Sequence, residues 1–135
     1  MMQFKIDTKE KFTVVSITEP QINDNMAADL AAVCTKVLSF PVTNLVLNLD
    51  AVEQIDVSIA EKIAQLQQDF YEQNTSFVIC CVKESVEKIF EGAELLDFMN
   101  ITPTESEAWD IVQMEEIERE LLDRDDIEFE NSNEK

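Results

Sequence analysis

The chain has 135 residues, 45% of them apolar, which is enough for one domain with a core of its own. Its 29 acidic residues against 10 basic leave a net charge of −19, a field that repels phosphate backbones and anionic headgroups and counts against nucleic-acid and direct membrane binding. Histidine is absent and glycine occurs once, at Gly92, which removes the commonest general base and metal ligand and every glycine-rich phosphate loop. With neither a nucleophile–base pair nor a metal set, no enzyme activity and no cofactor is expected.

Cys34, Cys80 and Cys81 make an odd count without a C-x-x-C spacing, so they read as small buried hydrophobes of a reducing compartment. Alternation along a strand would send Cys80 and Cys81 to opposite faces of a sheet. The start, Met1 to Asp7, alternates and soon becomes charged, unlike a signal peptide. No run approaches the roughly 18 apolar residues of a membrane span, so a cytoplasmic location is expected.

Phe4 and Ile6 alternate with charged residues, and Phe12 to Ile17 is rich in β-branched side chains, so an opening hairpin is expected, although its turn lacks glycine. Pro20 ends that region. Asn23, Asp24 and Asn25 offer capping side chains before a helix carrying Met26, Leu30, Val33 and Val37. Leu45 to Leu49 is a nearly continuous apolar run, as in a strand covered on both faces. Ile59, Ile63, Leu66 and Phe70 form a second helical stripe, and Phe77 to Val82 a second buried strand. A short helix through Val86, Ile89 and Phe90 follows, then an extended piece around Phe98 to Ile101. Thr104 and Glu107 form a capping box that opens a helix with Ala108, Ile111, Val112, Met114, Ile117 and Leu121. Between Glu115 and Lys135 there are ten acidic and three basic residues. The helix is therefore expected to end near Leu122, giving a domain over 1–122 and an acidic, disordered tail over 123–135. Helix–strand alternation after the hairpin implies an α/β fold with a mixed, mostly parallel sheet, helices packed against it and an extended C-terminal helix.

The informative junction runs from Asn48 to Ile59, where a buried strand gives way to a polar loop and then a helix from about Ser58. Here the chain resembles the STAS family of sulfate-transporter and anti-sigma-factor-antagonist domains. That family's strand ends in aspartate, and its loop leads to aspartate-serine-serine/threonine-glycine at a helix start. Asp50, Val52, Ile55, Asp56 and Ser58 match, and the order of elements agrees from about Phe4 to Val112. Val57 stands in place of the first serine and Ile59 in place of the glycine, so Ile59 is expected to block close approach by a partner.

The resemblance implies a protein-binding switch in which Ser58 is the phosphoacceptor and Asp56 its motif aspartate. Asp50, Ile59 and Lys62 complete the expected contact face. The implied partner is an anti-sigma factor or serine kinase. The alternative is a fixed accessory subunit of a lipid-type transporter, contacting its ATPase or permease. Residue chemistry leaves a third role open, because Ser58 and Glu61 have the spacing of a capping box and Ser58 could simply start the helix. Self-assembly into a homodimer through Ala108 to Leu122 is a further expectation.

Overall fold

The computed structural model describes residues 2–132, with side chains as far as Leu122. Strands β1 (Phe4–Thr8) and β2 (Thr13–Ile17) form the expected antiparallel hairpin, its turn closed by the Lys9 N–H donating to the Phe12 carbonyl at 2.7 Å. β3 (Gln21–Ile22) follows, then a 3-10 turn over Asp24–Met26, α1 (Ala27–Lys36), β4 (Leu45–Asn48), β5 (Gln54–Ile55) and α2 (Val57–Glu72). The chain continues through β6 (Phe77–Cys80), α3 (Glu84–Gly92), β7 (Ile101–Thr102) and α4 (Glu105–Ser132). The main sheet has the order β1-β2-β4-β6-β7, parallel from β2 onward, and β3 and β5 make a separate parallel pair.

Alternating side chains of the central strands feed two core layers. Val15, Leu45, Leu47, Phe77 and Ile79 face α1, α2 and α3, where Leu30, Ile63, Phe70 and Phe90 meet them. Val14, Val46 and Val78, neighbours in register, face the other way and lie under Ala108 and Val112 of α4. Phe12 stacks on Trp109 there, with ring centroids 5.1 Å apart. Covering on both faces explains why Leu45–Leu47 of β4 and all of β6 are apolar. Each fully buried aliphatic side chain contributes about 1.5–3 kcal/mol, so these two strands hold the domain together.

A polar network fixes the middle of α4. The Glu115 carboxylate accepts the Tyr71 hydroxyl at 2.7 Å and the Ser76 hydroxyl at 2.6 Å, and Asn44 donates to Glu116 at 2.6 Å. Burial in this network, helped by the adjacent Glu115 carboxylate, pushes the Tyr71 phenol well above its ordinary value.

Two local expectations need correction. The piece around Phe98 is not a strand: Leu96–Phe98 is a 3-10 turn, Phe98 is 74% exposed, and the strand is Ile101–Thr102. The cause is the buried Gln67 side chain, which donates to the Phe98 carbonyl at 2.7 Å and accepts the Asn100 N–H at 2.9 Å, occupying backbone groups a ladder would use. Cys80 and Cys81 do not face opposite sides, because β6 ends at Cys80 and Cys81 turns to φ 64. Helix α4 runs over Glu105–Ser132, a stretch with neither glycine nor proline. The expected acidic tail, 123–135, falls on this last stretch. Its backbone is helical to Ser132, while its side chains and residues 133–135 lie outside the described residues.

Candidate functional site

The junction after β4 crosses the C-terminal edge of the parallel strands, the edge at which open α/β sheets present their functional loops. It is held by backbone bonds. Leu49, fully buried, donates to the Cys80 carbonyl at 3.1 Å, and Val52, also fully buried, donates to the Leu49 carbonyl at 3.0 Å. Asp50 is exposed between them, and its amide donates to the Asn48 side chain at 2.8 Å. The Lys83 ammonium donates to the Asp50 carbonyl, and the Ser85 hydroxyl donates to the Glu53 carbonyl at 2.7 Å, so the start of α3 clamps the loop. The Pro20 carbonyl accepts Glu53 and Gln54 amides at 2.7 and 3.1 Å and steers the chain into the β3–β5 pair. Sequence patterning could not reveal this pair, because each strand is two residues long and is specified by backbone groups.

Asp56 is the N-cap of α2, so the helix starts at Val57 and Ser58 is its second residue. The expected Ser58–Glu61 capping box is therefore not formed. The Asp56 carboxylate does not cap its own helix either. It accepts the Asp24 N–H at 2.8 Å, tying α2 to the turn before α1. Asn23, at the cap position of that turn, makes no side-chain capping bond, so Asp56 from a distant loop does the work expected of the local Asn-Asp-Asn run.

The motif residues consequently divide. Ile59, expected at the contact surface, is fully buried in the layer beneath α1 and α2, because the third helical position points inward. Its replacement of the family's glycine fills core space. Val57 and Ser58 point outward, Val57 at 51% exposure, and the Ser58 hydroxyl has no hydrogen-bond partner among the described residues. Their amides lie in the first helical turn, which has no intrahelical acceptors and favours negative charge. Lys62, half-buried, stands one turn after Ser58 on the same side. No hydrogen bond among the described residues joins Asp50 to Asp56 or Ser58.

The exposed side of α2 continues from Ser58 through Glu61 and Gln65 into a shallow groove of 520 Å³ lined also by Ala64, Gln68, Leu95 and Phe98. Val57 and Phe98 are thus exposed apolar groups on α2 and on the turn beside its groove. Sequence reasoning assigned neither to the contact face, since Val57 read only as a departure from the motif and Phe98 as part of an extended piece. Among the described residues no cluster of three or more potential ligands could hold a metal, and no helix is long and apolar enough to cross a membrane.

Fold and junction together define a small mixed α/β domain that presents a loop and an open helix start at the C-terminal edge of its sheet. The chain belongs to the STAS domain family, whose model matches residues 3–108. A search of curated protein sequences finds no significant match. Among solved structures it is similar to an anti-sigma factor antagonist from Mycobacterium paratuberculosis, with TM-score 0.71 and 20% identity over 84% of this chain and 95% of that one. It is also similar to the anti-sigma factor antagonist SpoIIAA, unphosphorylated (TM-score 0.66, 18% identity, 82% and 96% covered). The phosphorylated form of the Bacillus protein gives TM-score 0.60 and 16% identity over 82% and 99%. The murine anion transporter Slc26a9 matches at TM-score 0.60 and 11% identity, over 80% of this chain and 18% of the transporter. These likenesses establish the shared fold.

Proposed function

We propose that this chain is a cytoplasmic regulatory interaction module of the anti-sigma-factor-antagonist kind, binding an anti-sigma factor or serine kinase and switched by phosphorylation at Ser58. The observation that carries the reading is the exposed, unpartnered Ser58 hydroxyl at the second position of α2. Asp56 is committed to Asp24 and Ile59 to the core, so Val57 and Ser58 are what the motif offers to a partner. In this reading Lys62 and the groove that runs from Glu61 and Gln65 to Phe98 extend the contact face, and Asp50 of the preceding loop is assigned to it. A phosphate on Ser58 adds nearly two negative charges. The open amides of the first turn and the Lys62 ammonium tolerate them within the domain, whereas an acidic partner surface is repelled. The fold need not change for the complex to break.

A second reading is favoured by Val57, an apolar residue in place of the motif's first serine, and by the likeness to a transporter's domain. In it the same face is a fixed contact to a lipid-type transporter's ATPase or permease, and Ser58 is a bystander. Affinity capture from the native cell extract, with wild-type, Ser58→Ala and Ser58→Asp baits compared by quantitative mass spectrometry, separates the two. The switch predicts a soluble kinase or anti-sigma factor retained by wild type and Ser58→Ala and lost from Ser58→Asp. A permease or transporter ATPase held equally by all three would overturn it in favour of the fixed contact.

A further inference from the structure

Two adjacent thiols that strand alternation should separate are brought together. β6 ends at Cys80, and Cys81 takes φ 64, a left-handed conformation that residues with a Cβ seldom adopt. The Cys81 amide donates to the Thr102 carbonyl at 3.1 Å, which ties this turn to the neighbouring strand. The result is a Cys81 Sγ 3.6 Å from the Cys80 Sγ, with both thiols free. Cys80 is fully buried under α4 in the layer containing Ala108 and Val112. Cys81 is half-buried and packs against the same layer, as do Trp109 and Ile111.

We propose that Cys80–Cys81 is a redox modification site, at which hydrogen peroxide converts the vicinal dithiol to a disulfide and shifts the seat of α4. This site is separate from the Ser58 face and does not depend on the reading given to it. Cys81 is the attacking group because it reaches solvent, whereas burial, with the Cys81 hydrogen bond adding to it, pushes the Cys80 thiol up and keeps it protonated. The Cys81 thiolate attacks one peroxide oxygen, the O–O bond breaks, and the departing hydroxide takes a proton to become water. Cys81 is left as a sulfenic acid. The Cys80 sulfur then attacks the Cys81 sulfur, the S–O bond breaks, and the hydroxyl leaves as water with the Cys80 proton. Two thiols lose two electrons in total, and the peroxide is reduced to two waters.

Adjacent Cα atoms lie about 3.8 Å apart, below the roughly 4.4 Å lower limit of ordinary disulfides. A bond formed here is therefore strained and easily reduced, which suits a reversible modification and not a permanent staple. Closing it draws the sulfurs together by about 1.5 Å inside a packed layer, and Ala108, Val112 and Trp109 must adjust.

The test treats the full chain with hydrogen peroxide and follows two signals. The peptide holding Cys80 and Cys81 should lose about 2 Da, regain it with dithiothreitol, and leave Cys34 a free thiol. The emission of Trp109, the single tryptophan, should change over the same time course. In Cys80→Ser, with its fold first checked by circular dichroism, oxidation should stop at a Cys81 sulfenic acid that dimedone traps. Accumulation of sulfenic or sulfinic acid at Cys81 in the wild type, or a pair inert to peroxide, would overturn the site. Formation of the disulfide with unchanged Trp109 emission would overturn its link to α4.

Discussion

Ile59→Gly restores the family's residue at the third position of α2, and on a surface reading it should improve a binding face. The structure argues otherwise, because the Ile59 side chain is fully buried among Leu30, Ile63 and their neighbours. Truncating a buried isoleucine to alanine costs about 2–5 kcal/mol through lost transfer free energy and residual cavity. Going on to glycine adds up to about 1 kcal/mol within a helix, and less in the first turn. The expected loss is therefore about 2–6 kcal/mol, a large share of the roughly 5–15 kcal/mol that holds such a domain. Urea unfolding followed by circular dichroism should show the midpoint fall by roughly 1.5 M with an unchanged slope. Val57→Ser, at a side chain 51% exposed, should move stability by no more than about 0.5 kcal/mol. A loss below about 1 kcal/mol for Ile59→Gly would refute the placement of this residue in the core.

Asp56→Ala removes the acceptor of the Asp24 amide, and should cost about 0.5–1 kcal/mol and speed hydrogen exchange at Asp24 selectively. Exchange left unaltered at that amide would show that Asp56 does not tie the two helices. Tyr71 is the single tyrosine, so its phenolate absorbance reports the α4 network alone. Its folded value is raised above the ordinary 10.0, so the neutral form stabilises the fold below pH 10 and that contribution is lost as pH climbs through the folded value. Phenolate should therefore appear well above pH 10 or only on alkaline unfolding, and Glu115→Gln should lower the midpoint; ordinary ionisation near pH 10 in the wild type contradicts the network. Met114, Ile117 and Leu121 are 45–54% exposed along α4. If they mediate self-association, light scattering will show a dimer that Ile117→Lys with Leu121→Lys returns to monomer; a monomeric wild type at high concentration ends that idea.

Much of the scaffold can be read from residue pattern, for a physical reason. Leu45 to Leu47 and Phe77 to Ile79 are apolar without interruption because helices cover both faces of the sheet. Ile59, Ile63, Leu66 and Phe70 all prove buried, as their spacing requires. The site was harder to read, because distant partners decide its details. Asp56 and Ser58 are both good capping residues; the extended backbone at Asp56 makes it the one that begins the helix, while its carboxylate is drawn away to the Asp24 amide across the fold. The start is two residues earlier than a Ser58 cap would give, and it leaves Val57 outside while Ile59 keeps its inward place in the apolar stripe. The left-handed turn at Cys81, held by Thr102, breaks the strand periodicity that would have parted the two thiols. Phe98 looks like a core residue by type, yet the Gln67 side chain holds its backbone in a turn that exposes it.

The central claim, that a phosphate on Ser58 turns off a protein contact without altering the fold, is tested most directly by calorimetry. The chain phosphorylated at Ser58 and the unmodified chain would each be titrated with the anti-sigma factor or kinase captured from its own cells. The account predicts at least about a tenfold loss of affinity on phosphorylation, about 1.4 kcal/mol, with matching circular dichroism spectra. Equal affinities for the two forms would contradict it.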